Sequence, residues 1–212
     1  MQTAVLFDLD GVLIDTEGQY SEFWHEIGKI YLPENPDFAG QIKGKTLVQI
    51  YQQYFFDKAD EQKGITQALD EFERQMKFPF IPGAMEFVAS LRKEGFKVAV
   101  VTSSNRDKMR SLFNEHSDLP DCFDRIFTAE DSTRSKPFPD CYISAARHLG
   151  FEASECYVFE DSLSGLQAGR DSGATVIGLA TTYKAECIAA FCHHTIENFT
   201  NYTVAAMCSL KK

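Results

Sequence analysis

Asp8 and Asp10, two residues apart, stand at the end of the apolar run Ala4-Val5-Leu6-Phe7 and are followed by Gly11. A short run of this kind predicts a buried strand. Alternate residues of an extended chain point to the same side, so both acids face one way at the strand's end. Two carboxylates this close repel unless a cation sits between them or one carries a proton. Either condition is useful chemistry. The ionised acid can act as a nucleophile while the other supplies a proton to a leaving group.

Three further polar sets fall at the ends of apolar segments. Thr102-Ser103-Ser104-Asn105 closes a strand expected over Lys97–Val101. Lys136-Pro137 lies in a two-proline loop after a strand near Arg125–Thr128, and Glu160-Asp161 closes a strand over Tyr157–Phe159. Each has a plain alternative. Thr102 to Asn105, or Glu160 to Ser162, could merely cap the helix that follows, and Lys136 could be a solvated loop residue. Taken together, acids, a hydroxyl and a lysine converge on one edge of one sheet, which chance explains poorly. An oxygen-only, carboxylate-rich set suits Mg²⁺. The hydroxyl and the lysine supply the donors and positive charge that a transferring phosphoryl group needs. An EF-hand calcium loop is the competing reading of Asp-x-Asp-Gly, but it requires a helix ahead of it and a third ligand before the glycine.

The elements that position these groups alternate from residue 83 onward. Helices are expected over Ala84–Glu94, Arg106–Glu115, Asp140–Leu149 and Leu163–Ser172, with strands between them and a last strand over Thr175–Leu179. That alternation defines an α/β fold, a Rossmann-like parallel sheet with helices on both faces. Residues 15–81 break the rhythm. Tyr20, Phe23, Trp24 and Ile27 recur at helical spacing, as do Leu47, Ile50 and Tyr54, then Ile65, Leu69, Phe72 and Met76. The expectation is a small all-helical cap over 15–81, inserted after the first strand of a core formed by 1–14 and 82–212. Its proline-marked exit, Phe78 to Gly83, reads as a hinge or linker. An insert at that point would hang over the carboxyl ends of the strands, where open α/β sheets bind ligands.

Composition narrows the partners. A net charge of −10 disfavours nucleic acid and anionic membrane surfaces. A small anionic substrate stays compatible, because a bound cation inverts the local field. Apolar stretches are only strand-length and no basic lead precedes one, so neither a membrane span nor a signal peptide is expected. The six cysteines show no paired metal-ligand spacing, and a reduced, cytoplasmic setting follows as the simple expectation. His193-His194 reads as a solvent-facing turn rather than a metal pair. No exposed apolar pattern demands an oligomer, so a monomer is expected.

The motifs also resemble a known family. Phe7-Asp8-Leu9-Asp10-Gly11-Val12-Leu13-Ile14-Asp15-Thr16-Glu17, Val101-Thr102-Ser103-Ser104, Ser135-Lys136-Pro137-Phe138-Pro139-Asp140 and Phe159-Glu160-Asp161-Ser162 look like the four ordered motifs of the haloacid dehalogenase superfamily. Gly165-Leu166-Gln167-Ala168-Gly169 and Ser172-Gly173-Ala174 resemble its β-phosphoglucomutase-like phosphatase branch in particular. The resemblance implies Asp8 as the nucleophile forming an aspartyl-phosphate, and Asp10 as general acid and then base, with its backbone carbonyl on the metal. It implies phosphoryl binding by Thr102, Ser103 and Lys136, and Mg²⁺ held by Asp8, Asp10, Glu160 and Asp161, with Asp161 the direct ligand of the last two. Tyr20 and Lys45 in the insert are candidate substrate contacts.

Within the superfamily, Asp10 argues against a dehalogenase or phosphonatase. The β-phosphoglucomutases carry a histidine where this chain has Tyr20 and a phosphate-binding arginine where it has Leu47. The expected activity is therefore Mg²⁺-dependent hydrolysis of a small phosphorylated metabolite, a sugar or polyol phosphate. A phosphosugar mutase is the alternative, and a non-catalytic binding module on the same fold is a third reading.

Overall fold

The computed structural model describes residues 3–210 and divides into two compact units, changing from one to the other between Asp15 and Thr16 and back between Lys77 and Phe78. The first unit holds six parallel strands among the described residues: β1 (Ala4–Phe7), β2 (Lys97–Val101), β3 (Arg125–Phe127), β4 (Tyr157–Glu160), β5 (Thr175–Leu179) and β6 (His194–Ile196). Their spatial order is β3-β2-β1-β4-β5-β6. The chain thus winds outward from β1 in one direction, then returns to β1's other side and winds outward again. The crevice at such a reversal, outside the carboxyl ends of β1 and β4, is where doubly wound sheets take ligands.

β1 is wholly buried, as a central parallel strand must be when helices cover both faces. Its alternation sorts the layers. Ala4 and Leu6 face a core with Tyr142, Ala145, Leu166 and Val176. Phe7 faces the other way into an aromatic layer, stacked on Phe159 at 5.0 Å and edge-on to Phe87 and Phe123.

The second unit, Thr16–Lys77, is all helical among the described residues: α1 (Glu17–Tyr31), α2 (Phe38–Gln41), α3 (Leu47–Tyr54) and α4 (Ala59–Gln75). The apolar spacing closes into a core of Trp24, Ile27, Phe38, Ile50, Phe55, Ile65 and Leu69. Thr46 starts α3 with a capping box, its hydroxyl accepting from Gln49 N while Gln49 Oε1 accepts from Thr46 N. The first unit continues with α5 (Ala84–Lys93), α6 (Arg106–Glu115), α7 (Asp140–His148), α8 (Leu163–Asp171), α9 (Ala185–Ile188) and α10 (Val204–Cys208).

Several boundaries depart from the sequence reading. Asp15 and Phe78–Ile81 belong to the α/β unit, because Asp15 N donates to Pro79 O and Ile81 N donates to Leu13 O. Outgoing and returning chain are therefore laced together there instead of forming a slack linker. Glu160 ends β4, paired with Gly178. Thr128 lies beyond β3, where its side chain and that of Asp131 close a capping box on a short 3-10 turn. His193-His194 is not a turn. His194 opens β6, and His193 ties that edge to β5 by accepting Val176 N on Nδ1 and donating its own N to Val176 O. Three residues of mixed polarity at an edge carry too little periodicity to be read as a strand.

Candidate active site

The carboxyl end of β1 is fixed by the ladder itself. Asp8 N donates to Phe159 O at 2.9 Å, one residue beyond the strand, which leaves the Asp8 side chain at the sheet's mouth with 11% of it exposed. Lys136 Nζ reaches it from the β3–α7 loop, donating to Asp8 Oδ1 at 2.5 Å, Glu160 Oε1 at 2.6 Å and Val101 O at 3.2 Å. Three acceptors match the three protons of an ammonium. The loop is braced from outside by Arg134, which forks onto both oxygens of Asp140 at 2.9 and 2.7 Å and lies over the Phe138 ring.

Glu160 is fully buried, and each of its oxygens is engaged by the protein. Oε1 accepts from Lys136 and from Tyr142 OH at 3.0 Å, while Oε2 accepts from Asp161 N, Ser162 N and Ser162 Oγ, each at 3.0 Å. Gly165 makes room for it: a Cβ there would lie 1.7 Å from Glu160 Oε1. On the next loop Thr182 Oγ1 donates to Asp161 Oδ2. Gly11, at φ +72°, lets the chain pass where a Cβ would fall 2.1 Å from that same oxygen. Two glycines of the motifs thus exist to admit the two acids at the carboxyl end of β4.

Burial pushes Asp8 up to about 7, with Lys136 opposing and Glu160 and Asp10 adding to the rise. Burial alone would lower Lys136, but the Asp8 and Glu160 carboxylates outweigh it and hold the ammonium well above the ordinary lysine range. Lys136 is thus a permanent cation between two acids. Asp8, Glu160 and Asp161 each offer an oxygen within 4.8 Å of the others'. Three acids against one lysine leave local negative charge, and an all-oxygen donor set with that charge fits Mg²⁺.

Asp10 is held separately. Lys108 Nζ donates to its Oδ1 at 2.6 Å and Ser104 Oγ to its Oδ2 at 2.9 Å. Thr102 is buried, its N donating to Phe127 O and its Oγ1 accepting from Ser104 N at 3.0 Å. Ser103 is exposed on the same loop, and Asn105 takes the capping role on α6 by accepting Lys108 N on Oδ1. Ser162 likewise caps α8. Asp8, Lys136, Glu160 and Asp161 are thus brought together, with Asp10 and Thr102 alongside on adjoining loops. Tyr20 and Lys45 belong to the helical unit, where Tyr20 OH donates to Glu73 and Lys45 Nζ to Gln53.

Sequence reasoning missed Lys108, Tyr142 and Thr182. Lys108 had a signal, since it shares the buried side of α6 with Met109 and Leu112 and a lysine there calls for a partner. Tyr142 and Thr182 had none, because any apolar face or loop accepts those residue types.

The chain belongs to the haloacid dehalogenase-like hydrolases, whose family model matches residues 2–173. It is 31% identical over 194 residues to a bifunctional riboflavin kinase/FMN phosphatase of Arabidopsis thaliana, covering 87% of this chain but only half of that protein. It is 30% identical over 194 residues to validoxylamine A 7'-phosphate phosphatase of Streptomyces hygroscopicus subsp. limoneus, covering 89% of this chain and 91% of the relative. Among solved structures, a HAD hydrolase of family IA, variant 3, from Entamoeba histolytica superposes with a TM-score of 0.85 at 25% identity, covering 99% of both chains. β-Phosphoglucomutases are also among the solved structures that share the fold, in keeping with the branch that the glycine motif resembles. No helix among the described residues is long and apolar enough to cross a membrane.

Proposed function

We propose that the chain is a Mg²⁺-dependent phosphatase that hydrolyses a small phosphorylated metabolite, a sugar or polyol phosphate, through an aspartyl-phosphate on Asp8. The observation that carries this reading is the Asp8 carboxylate at the mouth of the sheet, gripped by Lys136 at 2.5 Å beside Glu160 and Asp161 at the end of β4. Asp8 and Asp161 are the side chains assigned to hold the metal, with the backbone carbonyl of Asp10. Glu160, its oxygens already engaged, anchors Lys136 and the turn into α8. When bound, Mg²⁺ supplies positive charge at the transferring phosphoryl oxygens.

In the first step an Asp8 oxygen forms a bond to phosphorus while the ester P–O bond breaks, and Asp10 gives a proton to the departing oxygen. Thr102, Ser103 and the Lys136 charge bind the phosphoryl oxygens. In the second step a water attacks the same phosphorus, Asp10 takes its proton, and the bond to Asp8 breaks to release inorganic phosphate. The helical unit is assigned as the cap, with Tyr20 and Lys45 as its substrate contacts. Hydrolysis is favoured over phosphosugar transfer because Lys43 and Lys45, the lysines of the helical unit nearest Leu47 in the chain, are already engaged. Lys43 pairs with Glu17 at 2.8 Å and Lys45 bonds Gln53, while Leu47 stands where the mutases keep arginine. Names of relatives that end in phosphatase point the same way.

The test is phosphate release from a panel of sugar and polyol phosphates. Release should require Mg²⁺ and vanish on chelation, and acid-quenched wild-type enzyme should carry a phosphoryl group that Asp8→Asn lacks. Full turnover after exhaustive chelation, or from Asp8→Asn, would overturn the reading.

A further inference from the structure

We propose that Lys108 is a positioning residue that acts through Asp10 and controls the proton-transfer part of the reaction alone. The proposal rests on Asp10 being the general acid and base. Lys108 is only 3% exposed, and a buried ammonium is costly unless paired. Its ion pair is with Asp10 Oδ1 at 2.6 Å, and the Asp10 side chain retains 30% exposure. The lysine therefore stands behind the carboxylate, which faces outward.

Three observations show that the grip is directional. Ser104 Oγ holds the other oxygen of Asp10 at 2.9 Å, so two donors on two oxygens set the plane of the carboxylate. Lys108 is itself fixed at the third residue of α6, where Asn105 caps its backbone N–H. Ser104 also ties back through its N–H to the hydroxyl of Thr102, the residue assigned to the phosphoryl oxygens. Packing alone does not ask for a lysine here. Its neighbours on the buried side of α6 are Met109 and Leu112, and an apolar side chain of similar length would fill the place at no desolvation cost. The ammonium is there to orient the carboxylate.

The consequence concerns the leaving group. When Asp8 attacks a sugar phosphate, the P–O bond breaks toward an alkoxide that must take a proton from Asp10. When it attacks 4-nitrophenyl phosphate, the electron pair leaves on a stable phenolate and no proton is needed. A residue acting only through Asp10 should therefore matter for the first ester and not for the first step with the second.

The experiment compares wild type, Lys108→Met, Lys108→Arg, Ser104→Ala and Asp10→Asn with Mg²⁺ on glucose 6-phosphate and on 4-nitrophenyl phosphate, the latter read as the pre-steady-state burst of nitrophenolate. Proton transfer is generally worth about 10² to 10⁴ in rate, so Lys108→Met should cut kcat on glucose 6-phosphate by about 10- to 100-fold while the burst stays within about threefold of wild type. Lys108→Arg should recover most of the loss, and Lys108→Met added to Asp10→Asn should cost nothing more. If Lys108→Met does not fold, Ser104→Ala should show the same dependence on leaving group to a smaller degree. Equal losses on both esters in the Lys108 and Ser104 variants, with Asp10→Asn still selective, would overturn the role of Lys108. Equal losses in Asp10→Asn itself would instead remove Asp10 as the acid.

Discussion

Asp8 carries a conflict between folding and chemistry that can be measured. Its carboxyl sits near 7 because burial disfavours its charge, against an ordinary aspartate value of 3.8. A folded-state pKa raised in this way means that the native state holds the proton more tightly than the unfolded chain. The associated stability is fully present below about pH 4 and is lost as pH rises through about 7. Asparagine at position 8 keeps an oxygen for Lys136 without the buried charge. In the absence of divalent metal, Asp8→Asn should therefore melt higher than wild type at pH 8, with most of that margin gone at pH 4.5, each kcal/mol being worth roughly 2–4 °C in a chain of this size. Adding Mg²⁺ should raise the wild-type melting temperature and close the gap, by ligand linkage to the folded state. An Asp8→Asn margin that is the same at both pH values would show that the buried charge is not its cause.

Secondary-structure elements act here mainly through what their glycines admit. α8 carries Gly165 and Gly169 on its buried side, one turn apart, and they have different reasons to be glycine. A Cβ at Gly165 would collide with Glu160 Oε1 at 1.7 Å and Cδ at 1.9 Å, inside the most interconnected acid of the site. A Cβ at Gly169 would press on Val176 and Val158 methyls at 3.0 and 3.1 Å, which can yield. Gly165→Ala should therefore displace Glu160 from Lys136, costing about 3–5 kcal/mol as for a broken buried ion pair, and should also abolish turnover. Gly169→Ala should cost about 1–3 kcal/mol of overpacking and leave kcat nearly unchanged. Chemical denaturation alongside phosphate release separates the two. If Gly169→Ala loses activity as Gly165→Ala does, the assignment of Glu160 as anchor is undermined.

For the whole molecule, the question is whether a transferred phosphoryl group is given to water or to a second sugar position. A mutase has to hold a bisphosphate intermediate by its second phosphate, which a forked arginine does well and a lysine already bonded to Gln53 does poorly. Hexose monophosphates should release inorganic phosphate, and β-glucose 1-phosphate should not be converted efficiently to glucose 6-phosphate. Coupling product formation to glucose 6-phosphate dehydrogenase, with a bisphosphate primer present, decides it. Isomerisation outpacing phosphate release by orders of magnitude would establish the mutase and direct attention to Lys45.

Ala4-Val5-Leu6-Phe7 before Asp8 was legible because a doubly buried strand is written as an unbroken apolar run. The longer helices of both units, α1 and α3 to α8, were legible from spacing that places whole faces inward, whereas the short α2, α9 and α10 were not. Asp8, Asp10, Thr102, Glu160 and Asp161 stood out by lying where apolar segments stop and Lys136 by its two-proline loop, so local pattern gave the fold class and, with the family resemblance, the candidate residues. The tertiary structure decided which of those residues touch one another. Only the order β3-β2-β1-β4-β5-β6 sets β1 beside β4 and lets Lys136, 128 residues along the chain from Asp8, reach it. The grip of Lys108 on Asp10, the engagement of both Glu160 oxygens and the joining of β6 to the sheet were equally hidden. Each depends on distances between residues far apart in the chain, and residue spacing along a sequence carries no information about those.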